Sequence, residues 1–205
     1  MLSLRHLTLR YGTHTVFEDL SLHVRRGEML CVCGESGCGK SSLLRAVLGF
    51  TPAEGEIVVD GQPMDALHVD AIRRLTAYVP QELALPCDTV REMVNMPFDL
   101  RANRGSVRPE QQLLDDWTSL GLDARLMEKR VGELSGGQRQ RIMLSVAGCL
   151  GKSLLIADEP TSALDEDSAR LVLNYFQRLA TERNMAVLVA SHSPLFRALP
   201  NTIVL

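Results

Sequence analysis

Residues Gly34 to Ser41 read G-E-S-G-C-G-K-S, placed between an apolar pentapeptide and a helix-like stretch. This is the G-x-x-x-x-G-K-[ST] spacing of a phosphate-cradling P-loop, and it dictates its surroundings: a buried strand before it and a helix start after it. Gly34, Gly37 and Gly39 carry no Cβ, so backbone N–H groups can close around phosphate oxygens. Lys40 adds a full positive charge for the terminal phosphates, and Ser41 a hydroxyl for Mg²⁺. Glu35, Ser36 and Cys38 complete the loop. The helix that opens at Ser41 and Ser42 points its positive end at the anion. The preceding run, Met29-Leu30-Cys31-Val32-Cys33, has the length and continuous apolarity of a parallel strand buried on both faces. A ligand-free glycine turn is the bland alternative, and the closing Gly-Lys-Ser argues against it.

The chain has 205 residues, enough for one α/β domain with an inserted helical segment. Its apolar runs are short and interrupted, and the start Met1-Leu2-Ser3-Leu4-Arg5-His6 lacks the layout of a secretory signal. A cytoplasmic location is expected, with any membrane role borrowed from a spanning partner. The net charge of −3 offers no broad basic field, so nucleic acid is not an expected ligand. Of the five cysteines, Cys31 and Cys33 fall on one face of the predicted strand and read as buried thiols. Cys38 differs because it lies within the phosphate loop, where positive surroundings favour a thiolate.

Leu2, Leu4, Leu7 and Leu9 alternate with one interruption, and Leu20, Leu22 and Val24 alternate cleanly before a turn at Arg25 to Glu28. Gly55 to Gly61 reads as a strand between glycine turns, and Leu75 to Val79 as another. From about Thr89 to Leu150 the pattern turns helical. Thr89 is a candidate cap, Pro109 opens a helix running to Leu120, and Gly121 ends it. Ile142, Val146 and Leu150 recur at helical spacing. Strands resume at Ser153–Asp158, Met185–Ala190 and Thr202–Leu205. Strands alternating with helices imply a mainly parallel sheet with crossover helices.

Two further segments carry chemistry. The strand ending at Asp158 and Glu159 places acids where open α/β sheets bind ligands, just beyond the strand's carboxyl end. Asp158 suits Mg²⁺, directly or through water, and Glu159 can polarise an attacking water. Leu134-Ser135-Gly136-Gly137-Gln138 precedes a helix, so Ser135, Gly136, Gly137 and Gln138 form a second helix-start anion site. The same residues also fit a simple capping box.

Taken in order, the P-loop, Gln81, L-S-G-G-Q, the strand ending D-E, Ser162-Ala163-Leu164-Asp165 and His192 resemble the ATP-binding cassette (ABC) ATPase family over almost the whole chain. A narrower likeness is to short bacterial exporter cassettes. The resemblance implies a P-loop NTPase core with a mainly parallel sheet, an N-terminal antiparallel β subdomain and an inserted α-helical subdomain. Core and β subdomain would occupy about 1–81 and 151–205, and the helical subdomain about 82–150. It implies that Tyr11 stacks on adenine, that Gln81 contacts Mg²⁺ and the lytic water, and that Glu159 is the catalytic base. Lys40 and His192 would contact the γ-phosphate, and Asp165 would belong to a loop coupling two sites. Ser42, Ser193 and Ala157 depart from common family residues without removing a catalytic group.

ATP and Mg²⁺ are the implied ligands. The implied partners are a second cassette, identical or similar, and a transmembrane permease that holds the chain at the inner face of the membrane. Ser135 of each chain would then face the other chain's triphosphate. Met93, Val94, Met96, Pro97 and Phe98 are candidates for a surface docking the permease, or equally for the core of the helical segment. A soluble cassette acting on DNA, ribosomes or cluster assembly is the alternative function.

Overall fold

A computed structural model describes residues 1–82, 86–103 and 108–205. The chain opens with β1 (Leu2–Tyr11), β2 (His14–Val24) and β3 (Met29–Cys33), followed by the phosphate loop and α1 (Lys40–Val47). Next come β4 (Glu54–Val59), β5 (Gln62–Pro63), α2 (Val69–Leu75) and β6 (Thr76–Val79). The helical stretch contains α3 (Val90–Asp99), α4 (Glu110–Ser119) and α5 (Gly136–Cys149). The chain finishes with β7 (Leu154–Asp158), α6 (Glu166–Arg183), β8 (Ala186–Ser191), α7 (Pro194–Arg197) and β9 (Thr202–Val204).

Two sheets result. The antiparallel sheet runs β2-β1-β4-β5, and the parallel sheet runs β6-β7-β8-β3-β9. The interrupted leucine alternation of β1 is a bulge: the pairing with β2 shifts register between Leu4 and Leu7, and His6 there has φ +50°. Inserting residues in this way lets leucines on both sides of the bulge face one core. In the parallel sheet the two-residue period sorts side chains cleanly. Leu30, Val32, Leu154, Ile156 and Leu188 face the core shared with α1 and β1. Cys31, Cys33, Leu155, Ala157 and Val187 face the core shared with α5 and α6. The central strands are therefore apolar on both faces, as their unbroken runs require.

The helical stretch is built by local signals. Thr89 caps α3 through a reciprocal box with Glu92, and Gly121 follows α4 with φ +65°. Met93, Val94 and Phe98 are buried in that core. Two bounds differ from expectation. Leu75 ends α2 rather than starting β6, and β4 begins at Glu54. In α2 only Ile72 is buried, so no apolar stripe announces that helix.

Candidate functional site

Four loops meet in a cleft of about 210 Å³. The loop after β3 brings Ser36, Gly37, Gly39, Lys40, Ser41 and Ser42, and the segment after β6 brings Gln81. The loops after β7 and β8 bring Glu159 and His192. All four lie at the carboxyl ends of parallel strands, where the sheet leaves a crevice. Gly39 caps the start of α1 with φ +105°, and a Cβ there would lie 2.2 Å from Val16 Cγ1. Both conformation and space therefore demand glycine at this turn.

Lys40 is nearly buried, 5% exposed, and its ammonium is fully partnered. Nζ donates to the carbonyls of Gly34 and Glu35 at 2.9 Å each and lies 3.3 Å from Glu159 Oε1. Pairing the two buried charges offsets much of their desolvation. The other Glu159 oxygen, Oε2, lies 2.8 Å from His192 Nδ1 and accepts the His192 backbone amide at 3.3 Å. One carboxylate thus bridges the phosphate-loop lysine and the histidine after β8.

The backbone that aims this carboxylate is itself unusual. Glu159 has φ +46°, a left-handed conformation costing a non-glycine residue on the order of 1–3 kcal/mol. Its amide donates to Ala190 O at 2.9 Å, which pins the turn to β8. Nothing in the residue string flags this turn; the acid before a proline reads only as a strand end.

Asp158, the last residue of β7, is 4% exposed, and its Oδ1 is buried without a hydrogen-bond partner. Burial pushes its carboxyl up, while a hydrogen bond from the Ser41 hydroxyl pulls it back. Tyr11 lies just outside the cleft, half exposed, with its hydroxyl 3.3 Å from Ser42 Oγ. Hydrogen bonds with Ser42 and Thr51 lower its phenol from the usual value. Cys38 is half-buried, and its Sγ folds against Gly34. The thiols of Cys31 and Cys33 lie 3.3 Å apart inside the core.

The second glycine-rich helix start stands apart. Ser135 Oγ accepts from the Gln138 amide at 3.1 Å, and Gln138 Oε1 accepts from the Ser135 amide at 2.9 Å. The capping box is therefore real. Ser135 and Gly136 are exposed, Gly137 packs against Ala163 and Leu164, and none of Ser135 to Gln138 lines the phosphate-loop cleft. Asp165 caps α6 by accepting from the Ser168 amide at 2.8 Å, which lowers its carboxyl.

Residues 17–162 match the family described as ABC transporter. The sulfate/thiosulfate import ATP-binding protein of Cucumis sativus is 36% identical over 197 residues, covering 93% of this chain and 55% of that protein. This chain therefore spans about half the length of such relatives. The probable iron export ATP-binding protein FetA of Escherichia coli is 32% identical over 194 residues, covering 94% of this chain and 84% of that one. Among solved structures, a dimeric ATP-binding cassette in a post-hydrolysis state, bound to ADP and Pi, superposes with a TM-score of 0.79 at 26% identity. That alignment covers 96% of this chain and 90% of the other.

Proposed function

This chain belongs to the ABC transporter family of ATP-binding cassettes, and from that premise we propose that it hydrolyses ATP as one of a pair of cassettes driving a separate membrane permease. The observation that carries the chemistry is the convergence of Lys40, Glu159 and His192 in one cleft floored by the phosphate loop. The triphosphate lies along the amides of Glu35 to Ser42, at the start of α1. Tyr11, beside Ser42, offers its ring to the adenine. Lys40 exchanges the Gly34 and Glu35 carbonyls for phosphate oxygens, which are stronger acceptors because they are charged. Glu159 Oε1 is thereby released to accept a proton from the attacking water. His192 keeps Nδ1 on Glu159 and presents its other ring nitrogen to the γ-phosphate. Gln81, which also lines the cleft, orients the water.

The residues fit Mg²⁺. Asp158 holds an unpartnered buried oxygen beside the Ser41 hydroxyl, a pair of oxygen ligands awaiting a hard cation. Among the described residues no group of three or more His, Cys, Asp or Glu could hold a metal. Ser41 and Asp158 would hold the Mg²⁺ ion, with Gln81 at its edge, and when bound it neutralises charge on the transferring phosphoryl group.

The exposed Ser135 helix start supports a trans arrangement, in which each chain supplies donors to the other chain's γ-phosphate. ATP then favours the closed pair because only there is its terminal charge fully satisfied, and loss of phosphate reopens it. For the permease, a groove of about 440 Å³ runs between β6 and the helical stretch, lined by Tyr78, Pro97, Leu100, Met143, Val146 and Leu150. Its apolar walls suit an amphipathic helix. No helix among the described residues is long and apolar enough to cross a membrane.

Glu159→Gln tests the reading. The variant binds MgATP, loses turnover by at least about a hundredfold, and accumulates as a nucleotide-bound dimer in size-exclusion chromatography with light scattering. Wild-type turnover by this variant removes Glu159 as the base.

A further inference from the structure

The groove and the phosphate loop are joined by one side chain. Arg73 sits in the last turn of α2, half-buried. Its Nε donates to Leu48 O at 3.1 Å and its Nη2 to Gly49 O at 3.4 Å. The guanidinium lies over the Phe50 ring, 4.5 Å from the centroid, although Phe50 is 60% exposed. These three residues follow directly on α1, so a planar cation closes the carboxyl end of the helix whose amino end is the phosphate loop. The carbonyls of Leu44, Arg45 and Ala46 are held by the amides of Leu48, Phe50 and Gly49, and the cation adds a positive charge beside the negative pole of the helix. Arg73 also forms part of the wall of the groove between β6 and the helical stretch. Two residues after α2 ends, β6 is under way, and its far end delivers Gln81 to the cleft.

α1 is a short, stiff connector. It has eight residues, about 12 Å of rise, and Leu43, Leu44, Ala46 and Val47 bury its inner face. A displacement of its carboxyl end cannot be absorbed by bending over so short a length; it reaches Lys40 and the loop amides.

We infer that Arg73 is a positioning residue that clamps the carboxyl end of the phosphate-loop helix to the wall of the groove, so that the geometry at the groove sets how tightly the loop grips nucleotide. The inference rests on the reading of the loop as the nucleotide site.

The test uses the intact chain with three variants, Arg73→Ala, Arg73→Lys and Lys152→Ala. Lys152 is the control: its ammonium donates to Arg74 O at 2.7 Å and to Ala102 O at 3.4 Å, so its loss perturbs the same short helix and another part of the groove wall without touching α1. Calorimetric titration with MgADP is expected to show binding weakened about tenfold in Arg73→Ala and about threefold in Arg73→Lys, which keeps the charge but not the fork. Lys152→Ala binds like wild type. Steady-state assays show a raised KM for ATP in Arg73→Ala with kcat within about twofold, because Glu159 and His192 follow β7 and β8 and are not carried by α1. Hydrogen exchange adds a readout of location. The amides of Leu48, Gly49 and Phe50, bonded to the carbonyls of Leu44, Ala46 and Arg45, lose protection in Arg73→Ala alone. Wild-type MgADP affinity in Arg73→Ala overturns the inference, as does equal weakening in Lys152→Ala. Failure of the wild-type chain itself to bind MgADP overturns instead the reading of the loop.

Discussion

The chain has two glycine-rich helix starts, and they are built in opposite ways. At Gly39 and Lys40 the loop is walled in. The lysine is buried, three oxygens of the same chain hold its ammonium, and the glycine is required by a φ of +105° and a side chain 2.2 Å from where a Cβ would lie. At Ser135 and Gly136 the helix start is open. Its cap is satisfied locally, and a Cβ on Gly136 would meet nothing closer than Ala163 Cβ at 3.8 Å. In the proposed pairing of cassettes, a glycine with this much room would serve a neighbouring chain rather than its own fold. The first start is held by contacts within one protomer; in the proposed pairing, the second would complete the other protomer's site.

Three experiments press on that contrast. Lys40→Ala has the largest expected effect. It removes the charge that receives the phosphates and leaves Glu159 buried without its lysine, so MgATP affinity falls by at least about a hundredfold. Calorimetry showing unchanged affinity would end the assignment of the enclosed site. Next is Ser135→Arg, which places a bulky cation on the open start. The isolated chain should bind MgADP within about twofold of wild type while turnover is lost; retained turnover would mean that nothing outside the chain uses Ser135. The smallest structural effect belongs to Gly136→Ala. Since the Cβ has room and alanine favours a helix, stability in urea should change by no more than about 0.5 kcal/mol, yet turnover should drop because the close approach of a partner is obstructed. A clear loss of stability in that variant would show that the glycine serves its own fold after all.

Much of this was legible before any coordinates. The apolar pentapeptide before the P-loop became a central strand because only a strand buried on both faces tolerates such a run. Thr89, Ser135 and Gly121 acted where their side chains or φ angles dictated. The long helix α6 was not singled out beforehand, although Val172, Leu173, Phe176, Leu179 and Ala180 form a buried stripe along it. By contrast α2 has one buried residue and no period, so it forms only because Arg73 and Ile72 find partners elsewhere in the fold. The buried thiols of Cys31 and Cys33 obey the two-residue period, and burial pushes the Cys31 thiol up, far from a reactive thiolate.

Within the cleft, residue types and their order were set by the string of letters, because phosphate binding needs a glycine turn, a cation and a hydroxyl at fixed spacing along one loop. What the folded chain alone decided is how segments more than a hundred residues apart share one carboxylate. Glu159 reaches both Lys40 and His192 only because its backbone adopts a left-handed turn pinned to Ala190. The same holds for Arg73, whose two carbonyl partners follow the far end of another helix. Local spacing encodes what one segment can bind; distances between segments arise from packing around the sheet, which no short stretch of sequence contains.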